Sequence, residues 1–155
     1  MDIAEMIKAI QYVLAPAVMI SASALLLLGF QNKSSNLATR FRALNQEKRL
    51  LGIKFKREDF EEARLASLDP QLAYLVKRAF FIRNAILLSY GAIISFSTAS
   101  ILIFAQMTFS IHLYPLVSGV FLFGFVCIPA ACVFMSLETR LYYQIISLED
   151  HESLP

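Results

Sequence analysis

Charge is distributed along the chain in blocks. From Ala9 to Asn32 there is no Asp, Glu, Lys or Arg over 24 residues, and from Asn84 to Leu137 there is none over 54. One helix needs about 20 apolar residues to cross a bilayer core. The first run therefore predicts one span. The second predicts two, joined by a tight turn in its most polar stretch, Gln106 to Pro115 (QMTFSIHLYP). The resulting spans are 9–31, 84–106 and 113–137. A 32–83 segment lies between the first two, and a tail covers 138–155. The expected fold is all-α: one integral membrane domain over residues 1–155.

The segment between the first two runs reads as helical too. Leu37, Phe41, Leu44 and Leu51 recur at heptad spacing up to Gly52, with Lys48 interrupting the stripe. This stretch can continue the first span as one long helix. After a basic link, Lys54 to Arg57, a second helix is expected from Glu58-Asp59 to about Leu68, since acids suit a helix N-terminus. Asp69-Pro70 then reads as an N-cap followed by a first-turn proline. Leu72, Leu75, Ala79, Ile82 and Ile86 carry an a/d rhythm from there into the second span. The expectation is a helical hairpin whose two arms extend spans one and two, with seams suited to helix–helix packing.

Charge sets the expected orientation. Twelve of the 14 Lys and Arg residues fall within 31–83 against six acids, a net +6, and the turn between the later spans has none. By the positive-inside rule that segment is cytoplasmic, so the N-terminus lies outside and the C-terminus inside. Arg40, Arg42, Arg78 and Arg83 are the juxtamembrane basic residues, suited to anionic headgroups. Asp2 and Glu5 make the leader a poor secretory n-region, so the first span is expected to be retained. Nucleic-acid binding is not expected, because the basic residues are interleaved with acids and the aromatics read as helix faces.

Composition agrees: 57% hydrophobic, 17% charged and a mean hydropathy of +0.60, unlike an ordinary soluble enzyme. No metalloprotease, hydrolase or phosphate-loop motif occurs, and His112 and His151 stand far apart. Cys127 and Cys132 lie five apart on one helix, which suits neither a disulfide nor a zinc site. No enzymatic activity, metal or cofactor is therefore expected.

The spans do hold small and hydroxyl residues. Gly91, Ser95 and Thr98 fall at i, i+4 and i+7, and Ala99 extends the pattern. Small residues permit close helix approach in a membrane. Hydroxyls can also solvate an ion along a path. Pro129, like Pro16, lies inside a span and frees a carbonyl. Gly91, Ser95, Thr98 and Pro129 are thus the candidate pore or packing face, and Gly91, Ser95 and Ala99 predict self-association through span two.

Two resemblances follow. Leu14-Ala15-Pro16-Ala17, Ile20-Ser21-Ala22 and Asn36 to Leu44 (NLATRFRAL) resemble a bacterial three-span membrane family defined as a domain of unknown function, over nearly the whole chain. That family implies the topology and leaves the activity open. Cys127-Ile128-Pro129-Ala130-Ala131 is similar to the third span of the ExbB, TolQ and MotA motor-channel superfamily, although their glycine-rich second-span motif is missing here. The functional expectation is a small homo-oligomeric channel-like or motor-like subunit. The alternative is a non-conducting scaffold whose cytoplasmic helices dock a protein partner.

Overall fold

A segment apolar on every face has to satisfy its backbone within itself, and in lipid a helix does so. The computed structural model describes residues 3–53, 59–109 and 112–152, with side chains described for 14–53, 60–108 and 112–142. Those residues form three helices: α1 (Ile3–Ile53), α2 (Asp59–Phe109) and α3 (Tyr114–Glu152). All three are long and apolar enough to cross a membrane. At 1.5 Å per residue, the 51 residues of α1 or α2 extend about 75 Å, more than twice the roughly 30 Å of a hydrocarbon core. Both helices must therefore project well beyond the bilayer.

The α2–α3 turn lies where the polar stretch predicts it. Pro115 sits in the first turn of α3, where a missing N–H costs nothing, and Val117 N–H closes that turn on the Leu113 carbonyl at 3.0 Å. The expected boundary at Asp69-Pro70 is not there. Pro70 is exposed inside an uninterrupted α2, because packing of the flanking Leu68, Leu72 and Leu75 carries the helix through it. The basic link 54–57 lies outside the described residues.

The helices pack in heptads. Along α1, Ser23, Phe30 and Leu37 are buried at seven-residue intervals, with Leu27 between. Along α2 two such series run in parallel, Leu68, Leu75, Ile82, Ser89 and Phe96 beside Arg78, Ala85, Ala92 and Ala99. A seven-residue repeat keeps one seam facing its partner over many turns. Here the α1–α2 seam passes without a break from the apolar spans into the hairpin. Leu37, Leu75 and Ile82 form one core cluster with Phe41 and Leu44 against it. Phe30, Ala85 and Ala131 form the next, and Ala92, Phe96 and Cys127 the one beyond.

α2 is the middle of the bundle, packed on both α1 and α3, which scarcely meet each other. The remaining faces carry Leu25, Ile94, Ile101, Phe104 and Leu122 exposed, as lipid-facing surfaces of spans do. Beyond the charge-free runs the hairpin arms are tied by ion pairs. Arg64 grips Glu47 through Nε at 2.8 Å and Nη2 at 3.3 Å, and Lys48, the break in the α1 stripe, meets Asp69.

Candidate functional site: a charged node joining three helices

α3 buries Gly124, Ala131 and Glu138 at seven-residue spacing, with Cys127 between the first two. The third member of that series is a carboxylate. Glu138 follows the last apolar residue of the run directly, which is why the sequence places it in the tail. In the structure the helix continues to Glu152 and Glu138 is 0% exposed. A carboxylate in such a position needs compensating charge and hydrogen bonds, or burial is prohibitive.

Both oxygens are satisfied, each from a different helix. Arg78 of α2 donates from Nε to Oε1 at 2.8 Å, with Nη2 2.6 Å from the same oxygen. Lys33 of α1 donates to Oε2 and also to Thr139 Oγ1 at 3.1 Å and Met135 Sδ at 3.6 Å, so all three ammonium donors are directed at α3. The Arg78 guanidinium lies 4.6 Å from the centre of the Tyr142 ring, a cation–π contact that covers its far side. Tyr74 donates to the Leu141 carbonyl at 3.2 Å one turn on. Among the described residues no buried side-chain nitrogen or oxygen lacks a partner.

Arg78 is thus the seam residue where the heptad reading placed Ala79, which is exposed. The pattern favours alanine on polarity, whereas Glu138 makes arginine the better core residue. Of the four juxtamembrane arginines, Arg40, Arg42 and Arg83 are exposed as expected, Arg83 lying 5.3 Å over the Phe80 ring. Only the spacing of Gly124, Ala131 and Glu138 could have found Glu138, read as one seam across the end of the apolar run.

The candidate pore face divides. Ser95 is buried and donates to the Gly91 carbonyl at 2.8 Å. Gly91 faces α3 of the same chain, where a Cβ on it would stand 3.9 Å from Cys127 Sγ. The close approach is at Gly124: a Cβ there would come within 3.0 Å of Ser95 Cβ and 3.1 Å of the Phe96 ring. At Gly91 and Ser95 the seam expected to join two copies through Gly91, Ser95 and Ala99 instead meets α3 of the same chain, which comes close because position 124 is glycine; Ala99 is buried as well. Thr98 is exposed and donates to the Ile94 carbonyl at 2.8 Å, at the edge of an open groove of about 330 Å³ with Pro115, Gly119 and Phe123. Pro129 is exposed and is not brought to that groove. Both thiols, buried Cys127 and exposed Cys132, are free.

Residues 13–148 match the family model described as "Protein of unknown function (DUF2721)". The chain belongs to the DUF2721 family. No curated protein and no solved structure matches. The expected likeness to motor-channel subunits finds no support. Its Ile-Pro-Ala tripeptide is centred on Pro129, which lies exposed on α3 away from the helix contacts. The DUF2721 match spans the described parts of α2, most of α1 and α3, and all three residues of the charged node.

Proposed function

We propose that this protein is a non-conducting, homo-oligomeric scaffold of the bacterial inner membrane, whose hairpin is a rigid post for a protein partner. One observation carries the reading. α1 and α2 run unbroken from span to hairpin, and the far end of that hairpin exposes Leu50, Ile53 and Phe60, with Ile53 and Phe60 about four-fifths accessible. At 1.5 Å per residue these side chains stand about 25–30 Å beyond Lys33, out of reach of lipid. The hydroxyls give secondary support, since Ser95 and Thr98 both donate to carbonyls of their own helix. Twelve basic residues within 31–83 favour a cytoplasmic hairpin, an outer N-terminus and contact with anionic headgroups. The reading involves no catalysis and no cofactor.

A channel-like oligomer is the second reading. The observation in its favour is the Thr98 hydroxyl at the edge of an open groove, which several copies would close around an axis.

Two measurements test the scaffold. Wild-type protein in liposomes should pass ions no faster than empty liposomes; flux abolished by Thr98→Val would select the channel. A photo-crosslinking side chain at Ile53 or Phe60 should capture one defined protein in cells, and the adduct should disappear with Leu50→Asp. Absence of any adduct at the tip removes the docking role.

A further inference from the structure

Two exposed polar side chains meet on the α1–α2 face inside the charge-free runs. Gln31 of α1 donates from Nε2 to the Tyr90 hydroxyl of α2 at 2.9 Å, and Tyr90 is 43% exposed. That bond uses the phenolic oxygen as acceptor and leaves its proton without one among the described residues. Serines nearby on α2 meet the same need locally: Ser89 and Ser95 donate to the Ala85 and Gly91 carbonyls, four residues back. A tyrosine hydroxyl stands too far from its own backbone to do this. An unpaired O–H is costly in hydrocarbon, which favours an acceptor supplied from outside the chain.

Arg83 lies two helical turns from Tyr90 on the same face of α2, just before the charge-free run begins. Its guanidinium rests 5.3 Å over the Phe80 ring, back toward the hairpin. It is exposed and has no ion-pair partner among the described residues. Glu138, the acid at this end of the spans, is already held by Arg78 and Lys33. The Arg83 charge is therefore open at the membrane boundary.

Depth relates the two groups. Seven residues of helix are about 10 Å long. The polar layer between hydrocarbon and water is about 5–8 Å thick on each side of a bilayer. With a hydrogen bond of about 3 Å at either end, one phospholipid reaches from Arg83 to Tyr90. Its phosphate then stands at the guanidinium, and an ester carbonyl, deeper by the thickness of the glycerol, stands at the hydroxyl.

We propose that Arg83 and Tyr90 form a site for one anionic glycerophospholipid on the α1–α2 face. Arg83 pairs with the phosphate, and the Tyr90 hydroxyl donates to an ester carbonyl while Gln31 holds the phenol from the other side. The site rests on the headgroup contact of the reading above and gives that contact a place and a chemistry.

The test uses full-length protein stripped of lipid in detergent, with bound lipid counted by native mass spectrometry. The probes are ester-linked phosphatidylglycerol, the same lipid with ether-linked chains, and phosphatidylcholine. Wild type should hold one ester-linked phosphatidylglycerol about tenfold more tightly than phosphatidylcholine and about fivefold more tightly than the ether-linked form. The ester–ether comparison is made within one folded sample and needs no variant. Arg83→Gln should abolish the preference over phosphatidylcholine, Arg83→Lys should keep it, and Tyr90→Phe should bind the ester and ether forms equally. Arg140→Gln, which removes an exposed cation on α3, should match wild type. Displacement of the lipid by inorganic phosphate would make this a site for free phosphate and overturn the lipid assignment. Equal ester and ether binding by wild type, or a loss in Arg140→Gln as large as in Arg83→Gln, overturns the site and leaves general headgroup contact standing. Equal binding of phosphatidylglycerol and phosphatidylcholine by wild type overturns both.

Discussion

Lys33 and Glu138 join α1 to α3 at a level where those helices otherwise hardly meet. With Arg78 they tie all three helices together where the apolar runs end. Removing one member of a buried ion cluster leaves the others uncompensated, at a cost of about 3–5 kcal/mol. Glu138→Leu should therefore unfold at markedly lower denaturant concentration in detergent. The triple variant Lys33→Leu/Arg78→Leu/Glu138→Leu should recover most of the loss, since an apolar cluster of similar volume needs no compensation. A triple variant as unstable as the single one would mean that the node contributes more than mutual neutralisation.

The α2–α3 seam yields a comparison among glycines. A methyl group at Gly124 must displace Ser95 or the Phe96 ring, both near 3 Å, whereas Gly119 has nothing within 4 Å and Gly91 only a sulfur at 3.9 Å. Overpacking costs about 1–3 kcal/mol, and replacing an uncrowded helical glycine with alanine gains up to about 1. Gly124→Ala should destabilise the bundle in reversible unfolding, while Gly119→Ala and Gly91→Ala should leave it equal or stronger. Equal behaviour of all three would remove Gly124 as the point of close approach.

These contacts show where the sequence was legible. Long charge-free runs specify spans because lipid tolerates little else there, so the spans and their turn could be read directly. The heptads Leu37–Leu44 and Leu72–Ile82 likewise disclosed the hairpin. The charged node was not legible, because a charge at the end of an apolar run marks the membrane boundary whether its side chain points to water or into a seam. Glu138 and Arg140 look alike in that respect, yet Glu138 is buried and Arg140 exposed. Gly124 was missed for a related reason: Gly91 has the more suggestive spacing, but which glycine permits contact depends on the facing side chain, here the Phe96 ring.

Pro70 offers a separate test of helix continuity. Proline inside a helix removes the hydrogen bond to the carbonyl four residues back, here Ala66, and is about 3 kcal/mol less favourable than alanine. Because Pro70 is exposed and buries nothing, Pro70→Ala should stabilise the hairpin by about 1–3 kcal/mol. Hydrogen exchange should slow for amides on either side of position 70. Unaltered exchange there would indicate that α2 is interrupted at Asp69-Pro70 in the membrane-embedded protein.

The hairpin should also respond to acid through Glu47. The hydrogen bonds from Arg64 hold the Glu47 carboxyl below its ordinary value of 4.5, and the same pairing raises Arg64, which stays charged throughout. When the arms separate, Glu47 regains its ordinary affinity for protons. Between the lowered and the ordinary value the open hairpin binds more protons than the closed one, so closure weakens as pH falls through that window. Above 4.5 the contribution is fully present. Hydrogen exchange, corrected for intrinsic rates, should show protection near residues 44–51 and 60–68 declining as pH drops below that value. Glu47→Gln keeps the shape but cannot titrate, so its protection should start lower and vary less with pH. An identical acid response in Glu47→Gln would assign the titration to another carboxylate in the hairpin.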